Sequence, residues 1–226
     1  MIYRVDVTLT ETMLGSAPLS RDVYADYIAS KAEAAPVVAA INGYDREEEL
    51  AGIVEERKGT TGFLRMADGT PYVQNHAIKG FLQNAASAYK QHRPDSATAK
   101  LTAYKSKINL LIDVSPRQIP LQLSGPIGIL SRPLRAETMQ GPRVALASSE
   151  TVPAGTKLQF EIGVFSDKTI TSEMIEEWFD FGIVHGLGQW RGSGMYGQFL
   201  ADVRVVKNPV FTPRHKWEAF GLQTNG

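Results

Sequence analysis

Residues 186–197 read Gly-Leu-Gly-Gln-Trp-Arg-Gly-Ser-Gly-Met-Tyr-Gly, five glycines in twelve positions. Helical spacing precedes the run: Ser172 and Glu173 open a helix that carries Ile175, Trp178 and Phe179 on one side. Residues 198–206, which follow it, form a strand. Gly192-Ser193-Gly194-Met195-Tyr196-Gly197 matches G-x-G-x-x-G letter for letter. That motif holds a dinucleotide only when a strand leads in and a helix leads out, because the pyrophosphate sits on the helix N-terminus. Here the order is helix, loop, strand, and nicotinamide or flavin binding is excluded. Dense glycines permit positive φ and close approach of another backbone. The run is then either a cradle of exposed N–H groups beside Arg191 that takes phosphate, or a turn that packs a helix closely on a sheet.

Working outward, residues 2–10 alternate, with Tyr3, Val5, Val7 and Leu9 on one face. Phe63 to Val73 reads as a hairpin around Asp68-Gly69. Asn75 caps a helix to about Gln91, with Ile78, Phe81, Leu82, Ala85 and Tyr89 on one face and Lys79, Gln83 and Lys90 on the other. A polar linker, His92 to Ala99, follows. Residues 108–114 read as the second core strand and 156–165 as the third. Strand, helix, strand, strand, helix, strand is the ferredoxin-like (RRM-like) βαββαβ plan of an α+β protein, with the glycine-rich loop before the last strand. The chain reads as one elaborated domain, 1–226, with its core at 2–10 and 62–206.

The remainder is insertion. Residues 11–58 hold a short helix after Ser20 and an acidic helix from Asp45 to about Arg57, and read as surface rather than core. Residues 115–155 carry prolines at 116, 120, 126, 133, 142 and 153, so the stretch cannot be a central sheet strand throughout. It reads as an extended excursion with one strand pair, bearing Arg117, Arg132, Arg135 and Arg143. Residues 207–226 form a polar tail.

Composition removes several functions. No cysteine is present, so disulfides, thiolate nucleophiles and cysteine-held zinc are excluded. No apolar run reaches membrane length and the start at Met1 has no signal-peptide pattern, so a cytoplasmic protein away from membranes is expected. The zero net charge hides an uneven distribution: −5 over residues 1–58, +6 over 59–150 and −1 over 151–226. A polyanion would bind the middle third, unless the acidic and basic thirds simply face each other. His76, His92, His185 and His215 lack metal-ligand spacing, and no metal or other cofactor is expected. Only His76 and His185 flank the motifs in a way that would let an acid–base pair converge. Trp190 and Tyr196 either stack bases, worth about 1–3 kcal/mol each, or plug the edge of the core.

Three features together resemble the repeat-associated mysterious protein superfamily (RAMP), and within it the backbone subunits of CRISPR effector complexes that polymerise along guide RNA. One is the glycine run. Another is Gly69-Thr70-Pro71-Tyr72-Val73-Gln74-Asn75-His76-Ala77-Ile78-Lys79-Gly80, similar to the family's proline, short strand and Lys-Gly at a helix start. The third is the ferredoxin-like order. The chain also resembles lone superfamily members found in phage and prophage genomes. The resemblance implies that Gly186, Gly188, Gly194 and Gly197 let amides approach phosphates, with Gln189, Trp190 and Arg191 beside them. It implies that Lys79 meets the nucleic-acid backbone. Arg132, Arg135 and Arg143 fall in a thumb-like insertion that crosses the RNA strand, with Met139 at its tip as a wedge between bases.

Target-cleaving members carry an aspartate just before the short strand. Here that place reads Gly59-Thr60-Thr61-Gly62, so no cleavage is expected. The leading expectation is a non-enzymatic binder of single-stranded RNA (or single-stranded DNA) that oligomerises along the strand as a filament or ring. The alternatives are a phage-encoded interaction protein that binds or mimics host CRISPR or defence subunits, docking through its acidic helix, and a histidine-dependent RNA endonuclease.

Overall fold

The computed structural model describes residues 1–19, 60–138 and 141–206. The helices expected near 20–28 and 45–57, Met139 and the tail lie outside the described residues. In chain order the elements are β1 (Ile2–Leu9), β2 (Met13–Leu14), β3 (Ala17–Pro18), β4 (Thr60–Gly62), β5 (Leu64–Arg65), β6 (Pro71–Gln74), α1 (Asn75–His92), a 3-10 turn (Ala97–Lys100) and α2 (Tyr104–Leu111). There follow β7 (Ile112–Ser115), β8 (Gln118–Pro120), β9 (Gly128–Thr138), β10 (Gly141–Val152), β11 (Lys157–Val164), α3 (Ser172–Asp180), α4 (Gly182–His185) and β12 (Phe199–Val205).

Alternation in β1 buries Tyr3, Val5, Val7 and Leu9 almost completely. Such a strand needs partners on both edges, and it has them. The core sheet runs β12-β1-β11-β7, antiparallel throughout, with Val5 opposite Val203 on one side and Phe160 on the other. Counting only these four strands, the order is 4-1-3-2, the ferredoxin-like arrangement the sequence implies. α1 and α3 cover one face. Their apolar stripes, Ile78, Phe81, Leu82 and Ala85 on one and Met174, Ile175, Trp178 and Phe179 on the other, are all buried. Phe81 joins the layers, with its ring 5.1 Å from Phe199 and 6.0 Å from Phe179. The buried indole of Trp178 donates to the Thr98 hydroxyl at 2.9 Å. Glu177 accepts from the Ala97 and Thr98 amides and the Thr98 hydroxyl, so the linker after α1 is strapped to α3.

The Asp68-Gly69 turn joins β5 to β6 as expected, with the Thr70 amide donating to Asp68 Oδ1. Three local expectations change. Residues 108–111 are helical, not strand. Ile108 is buried while Leu110 is 79% exposed, a helical spacing that a short apolar run does not reveal by itself. Asn75 does not cap α1. It is the first helical residue, and its side-chain Nδ2 donates to the Val114 carbonyl at 2.9 Å, tying the helix to β7. α3 opens at Ser172 with Glu173 in its first turn, as expected; Thr171 caps it by accepting from the Met174 amide, and the Ser172 hydroxyl bonds Tyr3. Finally, the start of the first insertion is not surface. Met13 and Leu14 are buried, and β2 pairs with β10.

The proline-marked excursion stays outside the core sheet, and Pro142 falls where β10 pairs with β9 alone. It is a long hairpin, β9 against β10, and β10 also takes β4 in parallel and β2 antiparallel. β3 completes this second sheet against β4.

Candidate nucleic-acid interface

The glycine loop is shaped by the protein's own backbone. Leu187 donates to the Gly197 carbonyl at 2.8 Å, Gly197 to Thr12 at 2.8 Å and Gln189 to Leu14 at 3.2 Å. Gly192 donates to His185 and Met195 to Gly192, both at 2.9 Å. These amides are therefore committed. A Cβ on Gly197 (φ +67°) would collide with the Leu187 carbonyl oxygen and lie 2.9 Å from its carbon. One on Gly188 (φ +81°) would collide with the Leu14 carbonyl and lie 2.8 Å from Met13 Cγ. Gly186 and Gly194 meet backbone just as closely, at Gly197 and at the Trp190 carbonyl. Close packing thus accounts for these glycines. The loop offers a ligand its exposed crest, Trp190, Arg191, Ser193 and Met195, rather than buried Gly186 and Gly197.

Trp190 and Met195 take left-handed backbone angles, φ +56° and +59°, which non-glycine residues adopt only where neighbours hold them. Part of that hold is visible. The Thr61 and Ser149 hydroxyls lie 2.8 Å apart and 3.0 and 3.2 Å from Gln189 Oε1, so one hydroxyl donates to the other and the second donates to Gln189. This trio, with Ser149 buried, pins the loop to β4 and β10. One strand over, the Arg132 guanidinium sits 4.0 Å from the Trp190 ring centroid and 5.0 Å from that of Tyr196. The loop and the hairpin therefore form one surface, with a cation stacked on an indole that is 42% exposed. Further along the same hairpin, Arg135 pairs with Val144 and Arg143 with Ala136 in the backbone register.

Arg191 is exposed and donates to the Gly188 carbonyl at 2.7 Å. Lys79 is not part of this cluster. Its Nζ reaches the Asn109 carbonyl at 3.4 Å, and neighbouring Gln83 donates to the Asn109 side chain at 2.7 Å, so both face α2. Asn84, which meets His185 beside the loop, lies about 140° further round α1 at about 100° per residue.

His76 and His185 do not converge. His76 is exposed beside the crevice between β6 and the Met13–Leu14 segment. His185 lies against Asn84, about 12 Å further along α1 at about 1.5 Å per residue. It stacks on Phe181, rings 5.1 Å apart and 19° from parallel. Burial, and then the charge of Arg191, hold its imidazolium below the ordinary pKa. Stability linked to this group is fully present above the unfolded value of about 6.5 and declines as the pH falls below it, because the unfolded chain takes the proton first. Thermal melts at pH 5 and pH 7.5 check this: wild type loses more of its Tm on acidification than His185→Gln. Equal losses would show that His185 carries no linkage. Among the described residues no three metal-ligating side chains cluster, and no helix is long and apolar enough to cross a membrane.

No family model and no curated protein matches the chain. Solved structures do. A chain of the Type III-B Cmr-beta complex bound to cognate target RNA aligns with a TM-score of 0.52 at 12% identity, over 91% of this chain and 60% of that one. The protein has a CRISPR effector-like fold. A chain of a Type IV-B CRISPR complex aligns with a TM-score of 0.45 at 14% identity, over 96% of this chain and 97% of that one. This example of the CRISPR effector-like fold thus spans about three fifths of the length of the Cmr-beta chain. Sequence reasoning placed Arg132 and Trp190 on separate features. Their contact, and the Thr61–Ser149–Gln189 trio beneath it, had no local signal beyond polar residues in strand-like stretches.

Proposed function

We propose that this protein binds single-stranded nucleic acid, RNA before DNA, where the β9–β10 hairpin meets the glycine loop, and that copies line up along the strand as a CRISPR-backbone-like assembly. The observation that carries this reading is Arg132 over Trp190 and Tyr196. A guanidinium stacked on exposed aromatics serves both halves of a nucleotide, the charge for phosphate and the ring faces for bases. The fold it shares with a chain of an RNA-bound CRISPR complex supports the same reading. So does the net +6 of residues 59–150. The protein holds the strand without cutting it: Thr61, in the segment that lacks a carboxylate, spends its hydroxyl on Ser149 and Gln189.

With no net charge, one copy gains little from counterion release, so affinity has to accumulate over neighbouring copies. The test is fluorescence anisotropy with light scattering on single strands of about ten and about forty nucleotides, where multivalent binding favours the longer strand by far more than the ratio of lengths. The expected result is mass growth on the long RNA and a steep loss of affinity between about 50 and about 200 mM salt. A monomer that shifts neither RNA nor DNA at low salt overturns the proposal. RNA cleavage by clean protein that a point substitution abolishes overturns its non-catalytic part.

A further inference from the structure

Behind the glycine loop, on the helical side of the molecule, lies an open cleft of about 600 Å³. Its size suits a small organic ligand. The walls differ in chemistry. One carries flat rings, Phe181 and His185 stacked 19° from parallel, with Trp190 beside them. The opposite wall is α1, where Asn84 and Gln91 present side-chain amides, groups that offer a donor and an acceptor together. Gln91 Nε2 donates to the Ser87 hydroxyl at 2.9 Å, and its carbonyl oxygen is an acceptor. Asn84 Nδ2 lies 3.4 Å from His185 Nε2, a long contact that a better partner can replace. At the rim stands Arg191, for which no carboxylate partner exists among the described residues, and no Asp or Glu lines the cleft. Burial, and then Arg191, lower the pKa of His185, so the permanent charge here is that of Arg191.

Aromatic plates, paired amides and a single rim cation match the parts of a nucleotide: base faces, base edge and phosphate. We infer that this cleft is a mononucleotide site, with the base between the Phe181–His185 stack and the Asn84–Gln91 wall and the phosphate at Arg191. The nucleotide is either free or one unit of a bound strand. The second source rests on the strand-binding reading above, and the first does not.

The experiment is calorimetric titration of the whole chain with adenosine monophosphate, uridine monophosphate, adenosine and inorganic phosphate, repeated with Gln91→Ala and Asn84→Ala. Loss of a base-edge hydrogen bond weakens the nucleotide about tenfold in each variant. Asn84 is half-buried, so Ala88→Phe is the second probe: it fills the cleft, leaves the polar groups in place and abolishes nucleotide binding. Anisotropy on labelled RNA separates the sources. If the nucleotide comes from a strand, adenosine monophosphate competes with RNA and Ala88→Phe weakens RNA binding. If it is free, nucleotide and RNA bind together and Ala88→Phe leaves RNA affinity unchanged. Two results overturn the inference. One is phosphate binding as well as the nucleotides, which makes the cleft an anion site only. The other is no nucleotide binding at millimolar concentration with RNA affinity unchanged in Ala88→Phe. Loss of RNA binding altogether, with nucleotides still bound, defeats the strand-binding reading and leaves this one standing.

Discussion

Gly197→Ala is expected to destabilise the protein by roughly 4 kcal/mol, combining a left-handed alanine with overpacking against fixed backbone. The new methyl has nowhere to go. It meets the Leu187 carbonyl head-on, with Leu187 C at 2.9 Å and N at 3.0 Å, and none of these atoms belongs to a flexible side chain. Relief requires breaking the hydrogen bond from Leu187 to Gly197, the one from Gly197 to Thr12, or both. In a chain of this size such a loss lowers Tm by about 10 °C. Gly69→Ala is the control. Gly69 also has positive φ, +86°, but a Cβ there meets nothing within 4 Å. It bears only the conformational cost, about 1 kcal/mol. Urea or thermal unfolding of the two variants decides the matter. Equal losses would mean that the Leu187–Gly197 approach gives way cheaply and that the loop is softer than its hydrogen bonds imply.

The largest functional effect is expected from Arg132 and Trp190. Trp190→Ala removes a stacking surface worth about 1–3 kcal/mol per base, a loss of roughly tenfold or more in affinity for single-stranded RNA. Arg132→Ala removes a phosphate partner and the cation that holds the indole, with a comparable loss. Because each group positions the other, the double variant loses less than the sum of the two, by about 0.5–1 kcal/mol or more. Lys79→Ala is the reference, since its side chain is turned to α2. It changes affinity by less than about twofold, well under the effect of a buried or stacked contact. Losses at Lys79 as large as those at Arg132 would put the strand on the α2 flank instead. Strict additivity at Arg132 and Trp190 would dissolve the platform into independent contacts.

The order of the core elements was legible because β1, β11, α1 and α3 each carry an unbroken periodic stripe, and periodicity reports which face is buried. The position of the glycine run between helix and strand followed from its flanks. Where the reading failed, the deciding contacts were non-local. Ile108 to Leu111 are apolar enough for either structure, and packing against α1 made them helical. Met13 and Leu14 look like loop until β10 and Gln189 supply them with backbone partners. The platform was hidden for the same reason. Arg132 reaches Trp190 only because β4 lies parallel to β10 and Gln189 bonds across both, a relation with no local sequence pattern. The glycines were visible but ambiguous: the same residue type permits approach of a phosphate or of the chain itself, and only the coordinates of Leu187 and Leu14 distinguish the two.

β1 lies between β11 and β12, and this has a consequence for how the protein is made. Residues 2–9 emerge from the ribosome first among the core elements, but the nearer of their two partners begins at Lys157, about 150 residues later. At roughly 5–20 residues per second, synthesis leaves this strand bare on both edges for about 10–30 s. During that time it is a short, alternating, β-branched segment of the type that pairs with any other exposed edge nearby. Neighbouring nascent chains on one messenger carry the same segment. Keeping those segments apart, through chaperone occupancy or sparse initiation, is therefore a demand that this strand order places on synthesis.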